Sequence, residues 1–306
     1  MKALIAKIGN IPFPSKEISW AKNSLLQPTP ILINNDLVRI YCGMRDTKGM
    51  SRIGYVDINP KDPTKLIGLS KEPCLDLGDI GHFDESGVVP CAITKLNNKL
   101  ALFYAGYQLG KTVRFFAYSG LAFSEDGKIF KRYKKTPVLE RSDEEMIFRV
   151  IHTILPEKNG WRVWYGAGNS FIEGTKKTLP NYNIYTMYSE DAINYPTKGT
   201  IALKTNNEEY RVGRPFVFKQ NEGFLMLYGY GSERDPYKIG LAKSEDGKIW
   251  KRIDKSINFK DGFDGWDSNM QAYPSLVEIN EKLLFFYNGN NYGYDGICCA
   301  MLSFQE

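Results

Sequence analysis

An all-β, five-bladed β-propeller is the fold that these 306 residues predict, on three observations. First, an apolar strand opening on proline or a stand-in (Pro30, Pro90, Thr153, Pro215, Pro274) is followed five times by a second strand that closes on a tyrosine. These tyrosines (Tyr41, Tyr104, Tyr165, Tyr228, Tyr287) recur every 59 to 63 residues, the period of a repeated four-stranded antiparallel unit. Second, aromatics make up 13% of the chain, with 19 Tyr and 17 Phe, which favours packed β-structure. Third, the last unit shows only three strands, while residues 2–8 alternate as a strand with no neighbour in sequence. An uncovered edge invites aggregation, so residues 2–8 are expected to complete the last blade and close the ring. The repeat fills the chain, which reads as one domain over residues 1–306.

In chain order, unit one pairs Thr29–Ile33 with Leu37–Tyr41 across a turn at Asn34-Asn35-Asp36, and Arg52–Val56 follows as its third strand. Unit two repeats this with Gly87–Ile93, an Asn97-Asn98 turn and Leu100–Tyr104. Its third strand runs into Ser124-Glu125-Asp126-Gly127-Lys128-Ile129-Phe130, and unit four carries nearly the same residues from Ser244 to Trp250. Unit three has a degraded copy, Ser189-Glu190-Asp191-Ala192. Asp can bond its own backbone two residues on and Gly accepts positive φ, so Ser-x-Asp-Gly predicts a tight structural turn whose following aromatic packs between sheets. Longer insertions at 170–181, 231–235 and 255–267 are candidate lids over one rim.

Charge and composition exclude several classes. A net charge of +5 from 40 basic and 35 acidic residues, spread along the chain, disfavours nucleic-acid binding, which needs a concentrated basic stripe. No apolar run reaches the ~18 residues of a membrane span, and the first residues lack the apolar core and cleavage site of a signal peptide. The five cysteines are odd in number and lack metal-ligand spacing. They are expected to be free thiols packed in strands, which suits a reducing cytoplasm. Vicinal Cys298 and Cys299 would face opposite sides of one strand.

Chemistry is expected where the first strands of the units converge. Reading back from each proline gives Gln27, Asp84 and Glu85, Arg149 and His152, Arg211 and Arg214, and Asp267, Asn269 and Gln271. Just after the second strands come Arg45, Asp46, Asn169, Asn288 and Asn290, with Tyr292 nearby. Charges at the mouths of apolar strands are costly unless they pair or bind something. Two readings stand: a salt-bridge ring holding the units together, or a polar pocket for a hydroxyl-rich ligand whose faces stack on Tyr and Trp. Four arginines, Arg45, Arg149, Arg211 and Arg214, suit a bidentate oxyanion contact. His152 is either a buried neutral imidazole or an anion ligand, and Asp46 either a substrate ligand or a turn former.

The repeat architecture resembles the five-bladed propeller glycosidases, which include arabinanases, invertase-like enzymes and β-mannoside phosphorylases. That resemblance implies a carbohydrate or glycoconjugate substrate and a carboxylic general acid beside the leaving oxygen. Glu85, then Asp84, stands where the mannoside-phosphorylase type holds its proton donor, and either is otherwise a surface loop carboxylate. The arginines and His152 resemble that type's phosphate ligands, which implies inorganic phosphate as a co-substrate. Relatives sometimes hold calcium on the axis, although the spacing here indicates no metal site. Ser86-Gly87 replaces the family's Pro-Arg, and Gln27-Pro28 replaces the Asp-Pro opening of unit one. The expectation is therefore a phosphate-dependent or otherwise anion-linked reaction at a glycosidic bond. The alternatives are a non-catalytic carbohydrate-binding propeller, or an enzyme acting on an acidic or nucleotide-linked sugar in surface-glycan metabolism. Oligomeric state is not legible.

Overall fold

The computed structural model describes residues 1–206, 208–220, 223–260, 262–263 and 265–305. It is all-β, as expected. The chain opens with β1 (Lys2–Pro12) and continues into a four-stranded sheet of β2 (Asn23–Asn34), β3 (Leu37–Arg45), β4 (Ser51–Asn59) and β5 (Asp62–Leu69). Three further antiparallel runs follow: β6 (Val88–Leu96), β7 (Lys99–Leu109), β8 (Phe115–Ser124) and β9 (Lys131–Arg132); β10 (Phe148–Glu157), β11 (Gly160–Glu173), β12 (Thr178–Ser189) and β13 (Thr200–Leu203); and β14 (Arg211–Gln220), β15 (Gly223–Gly231), β16 (Lys238–Ser244) and β17 (Lys251–Arg252). Short parallel contacts of β8 with β10 and of β12 with β14 join these runs into one 12-stranded sheet. The last sheet holds β18 (Ile257–Phe259), β19 (Ala272–Ile279), β20 (Lys282–Asn288) and β21 (Gly296–Gln305), with β1 between β18 and β21.

The pairing expected of the first strand is present, because β1 lies antiparallel to β21 from Lys2↔Gln305 to Pro12↔Gly296. The 255–267 insertion is not the lid expected of it. Its β18 pairs in parallel with β1, Ala3 opposite Ile257, and covers that strand's outer edge; residues 261 and 264 lie outside the described residues. The 170–181 insertion is an extended hairpin, with Ser170 paired to Asn181. Thr153 replaces proline for a reason that the fold supplies: its Oγ1 donates to Pro215 O (2.6 Å) and accepts from Val217 N (3.1 Å), tying two units together.

Buried apolar residues form a core between each sheet and the next. Val38, Ile40 and Val56 of the first sheet share a cluster with Val277, Phe286 and Cys299 of the last. Ala3 and Ile5 of β1 pack with Leu227, Leu241 and Phe285. Each large side chain so buried contributes about 1.5–3 kcal/mol. All five cysteines are free and buried; four lie in strands, Cys74 does not, and Cys298 and Cys299 face two different clusters.

The Ser-x-Asp-Gly turns form as the residues dictate. Ser124 Oγ accepts from Gly127 N (2.9 Å) and Asp126 Oδ1 from Lys128 N (2.8 Å), and Ser244 and Asp246 repeat this. Each turn also hooks the preceding unit: Gly127 O accepts from Tyr41 Oη (2.7 Å), and Gly247 O from Trp164 Nε1 (2.9 Å).

The tyrosines that set the sequence period close a second device. Four of them donate to a buried or half-buried acid: Tyr104 to Asp84 (3.0 Å), Tyr165 to Glu145 (2.8 Å), Tyr228 to Asp254 (2.5 Å) and Tyr287 to Asp267 (2.6 Å). Each acid also meets a cation, respectively Arg132, Arg149, Arg252 and Lys7. An acid that accepts from a phenol and also meets a cation has its charge offset, which lowers the penalty of burying it.

Candidate functional site

The site starts from a repeated backbone irregularity. In β2, β6, β10, β14 and β19 the register against the following strand slips by one residue, between Leu26 and Thr29, Pro90 and Ala92, Ile151 and Thr153, Gly213 and Phe216, and Ala272 and Ser275. A bulge adds a residue and re-aims its side chain. Gln27 (φ 60), Arg214 (φ 53) and Tyr273 (φ 57) hold left-handed backbone there, a conformation that costs a non-glycine residue about 1–3 kcal/mol and persists only where the surroundings enforce it.

Those surroundings are a hub on Arg214. Its guanidinium donates to the carbonyls of Cys91 and Pro28 (3.2 Å for the latter), to Thr29 Oγ1 (3.1 Å) and to His152 Nδ1 (3.3 Å). Gln27 Nε2 donates to Pro90 O (2.9 Å) and Cys91 Sγ (3.1 Å). β2, β6, β10 and β14 are therefore tied at one point. The oxygens on which an axial calcium would draw already receive N–H groups from Arg214, and no group of three or more His, Cys, Asp or Glu that could hold a metal exists among the described residues. The residues present do not fit calcium.

Above the hub lies a cavity of about 410 Å³. Arg45, Arg114, Lys177, Arg211 and Arg214 line it, as do Tyr107, Tyr182, Tyr210, Tyr237, Tyr273 and Tyr292. Among the described residues that line it there is no Asp or Glu. The distribution of pairing is selective. Of the twelve arginines in the chain, Arg39, Arg52, Arg132, Arg141, Arg149, Arg162 and Arg252 pair with acids. Of the other five, four line the cavity, and no acid among the described residues pairs with them.

Aromatic rings frame these charges. Phe148 stacks on Tyr182 at 4.9 Å and 17°, and Tyr237, Tyr273 and Tyr292 form a mutual cluster with centroids about 6 Å apart. The Tyr182 and Tyr237 hydroxyls share a short hydrogen bond. Gly213 makes room for the Tyr182 ring, since a Cβ there would meet it at 2.6 Å. The Arg211 guanidinium lies 3.7 Å over the Tyr237 ring and 4.7 Å from Tyr210. Burial works against the Arg211 charge, but the phenols of Tyr237, Tyr182 and Tyr210 carry the group above its ordinary value.

Burial, opposed by Cys91, Tyr273 and Tyr107, lowers Arg214 to about 10, so it stays charged at neutral pH. Burial and then Arg214 hold His152 well below its ordinary value, which makes it a neutral imidazole accepting at Nδ1. Arg114 first, then burial and Arg211, push Lys177 below the usual lysine range. Three buried polar atoms on lining residues lack a hydrogen-bond partner: Arg214 Nε, Arg211 Nε and Ser51 Oγ.

The structure gathers Arg45, His152, Arg211, Arg214 and Tyr292 from the sequence candidates, and Gln27 with them. The others lie outside the cavity lining. Asp84 is fully buried in the Tyr104 and Arg132 network. Glu85 Oε2 accepts from Gly81 N (2.6 Å) and shapes its own loop. Neither lines the cavity, so the general-acid role expected of them finds no supporting geometry. Asp46 is a turn former, accepting from Lys48 N and Met50 N and pairing with Arg52 at 2.7 Å. Arg149 pairs with Glu145 at 2.6 Å, and Asp267 with Lys7 at 2.8 Å. Gln271 donates to Asp267 O. Asn288 accepts from Gln27 N (2.6 Å) and donates to Leu25 O, joining the last sheet to the first. Asn290 accepts from the backbone of Asn269 and Met270, and the Asn269 side chain faces solvent. Asp46, Asp84, Arg149 and Asp267 thus sit in ion pairs, and Gln271, Asn288 and Asn290 in hydrogen bonds to backbone groups.

Sequence reasoning missed Ser51, Arg114, Lys177 and five of the six tyrosines. Tyr273 had a signal, since it precedes Pro274 as Arg214 precedes Pro215. Arg114 and Lys177 sit at the tips of the β7–β8 and β11–β12 hairpins, which no strand pattern places on a common rim.

No family model matches the chain. It is 29% identical over 297 residues to the uncharacterized protein Rv1502 of Mycobacterium tuberculosis, across 97% of this chain and 98% of that protein. In structure it is similar to a glycoside hydrolase (TM-score 0.71, 16% identity, 98% of this chain and 92% of the other). It is also similar to a protein of the GH130 family of mannoside phosphorylases, which contains glycoside hydrolases that target beta-1,2 mannosidic linkages in Candida mannan (TM-score 0.65, 13% identity, 96% and 93%). At such identities the likeness shows the fold, that of the β-propeller glycosidases.

Proposed function

We infer that the chain is a carbohydrate-active enzyme working at a glycosidic bond, with a site that grips an anion. We read its fold as five blades closed into a ring by β1, a reading supported by the β1–β21 pairing and by the core shared between the first and last sheets. The observation that carries the functional reading is the set of four acid-free arginines and Lys177 around one cavity. Buried or crowded cations without counter-charge are costly, and an oxyanion supplies the missing charge through charge-assisted hydrogen bonds. The tyrosine rings supply faces on which a sugar can stack.

In this reading phosphate, held by the arginines, attacks the anomeric carbon through an oxygen as the glycosidic C–O bond breaks. The leaving oxygen takes its proton from a phenol or from the phosphate itself, since no carboxylic acid lines the cavity among the described residues. The fold shared with glycosidases and a mannoside phosphorylase supports the reaction class. The same lack of a carboxylate favours a second reading, a carbohydrate-binding propeller without catalysis.

Aryl glycosides screened with and without inorganic phosphate separate the two. Phosphate-dependent release of a sugar phosphate, lost in Arg211→Gln, supports the first reading, and equal release without phosphate sinks its phosphorolytic step. Phosphate binding with no turnover on any glycoside favours the second.

A further inference from the structure

The cavity's cations differ in depth: Arg214 is buried, Arg45 and Arg211 are half-buried, and Arg114 and Lys177 are exposed. At the floor, Arg214 is 4% exposed and Ser51 is 7% exposed. Four structural acceptors occupy the two terminal nitrogens of Arg214, which leaves Nε–H as its one unpartnered donor. Ser51 Oγ is likewise unpartnered, and Ser51 sits opposite Arg45 in the β3–β4 ladder. At the rim, Arg114 and Lys177 are exposed on two neighbouring hairpin tips. Arg114 first, then burial and Arg211, lower Lys177, and burial raises Tyr107 against the pull of Arg45 and Arg214. Floor and rim each carry positive charge that no acid among the described residues offsets, so neutralising one leaves the other unbalanced.

We propose that the cavity holds two phosphate-class anions at once, one at the floor on Arg214, Ser51 and Arg45, the other at the rim on Arg114, Lys177 and Arg211. This deepens the anion reading above and rests on it. The substrate is then a sugar that bears a phosphate-class group of its own, held at one subsite while free phosphate occupies the other. A carboxylate in the cavity would repel both, which agrees with the lining.

The probes are inorganic phosphate and glucose 6-phosphate, titrated calorimetrically onto the full chain in chloride buffer. Wild type is expected to bind two phosphates per chain. The double variant Arg114→Gln/Lys177→Gln, changed only at exposed positions, is expected to lose one and keep the other. Ser51→Ala is expected to weaken the remaining one about tenfold, the worth of one hydrogen bond to a charged oxygen. Glucose 6-phosphate added to phosphate-saturated protein is expected to displace one phosphate. A single phosphate per chain, both variants acting on the same isotherm, or displacement of both phosphates overturns the proposal. One anion site together with phosphate-dependent turnover sinks the two-subsite inference alone. No phosphate binding at all sinks the anion reading beneath it.

Discussion

Arg132 and Arg214 show the same side chain placed in two opposite ways. Arg132 reaches Asp84 at 2.8 Å, and Asp84 in turn accepts from the tyrosine that closes a second strand. Glu145, Asp254 and Asp267 repeat the pattern in other units. Arg214 meets only carbonyls, a hydroxyl and a neutral imidazole, so its hydrogen bonds are nearly filled while its charge is not offset. The arginines paired in the sheets have an acid within reach; among the described residues that line the cavity there is none. The difference separates charge that an acid offsets within the fold from charge that no acid among the described residues offsets.

The largest expected effect tests the structural half. Asp84→Ala strands a buried phenol and a cation, and is expected to cost about 3–5 kcal/mol in urea unfolding with phosphate affinity unchanged. A comparable loss of phosphate affinity would break the comparison. Next, Arg211→Gln is expected to weaken phosphate binding by about 1.5–3 kcal/mol while unfolding shifts by less than about 1 kcal/mol, because no acid is left unpaired. An unfolded variant would place Arg211 among the structural cations instead.

His152 sharpens the boundary through pH. Its imidazole is neutral in the fold, held well below 6.5 by burial and by Arg214, whereas the unfolded chain takes up a proton there. Stability is thus expected to fall as pH drops below about 6.5, by up to ~1.4 kcal/mol per pH unit from this group. His152→Gln is expected to remove that part of the slope, and an unchanged slope would show that the imidazole is protonated in the fold. The smallest effect is expected of Glu85→Gln, which turns the charge-assisted bond from Gly81 N into a neutral one and costs about 0.5–1.5 kcal/mol of stability, with no change in phosphate affinity. Loss of turnover on an active glycoside at unchanged stability would restore Glu85 as a general acid.

Much of the fold was legible because local chemistry repeats. The proline-to-tyrosine spacing located the first and second strands, Ser-x-Asp-Gly located the turns, and the unmatched residues 2–8 pointed to the last unit. The site was legible only in part. Arg45, His152, Arg211 and Arg214 lie next to strand ends, where the repeat predicts convergence. Asp84 and Asp267 lie upstream of β6 and β19, where the chain has not yet entered its first strand, and there they meet the tyrosines instead.

The sequence by itself determined the all-β repeat, the turns and the partner of the N-terminal strand, since each follows from the spacing of residue types along a strand. Only the tertiary structure decided which charges pair and which stay bare. A one-residue bulge sends Arg214 inward, and two hairpin tips far apart in sequence bring Arg114 and Lys177 to one rim. Pairing depends on distances between units, which spacing within a unit does not contain.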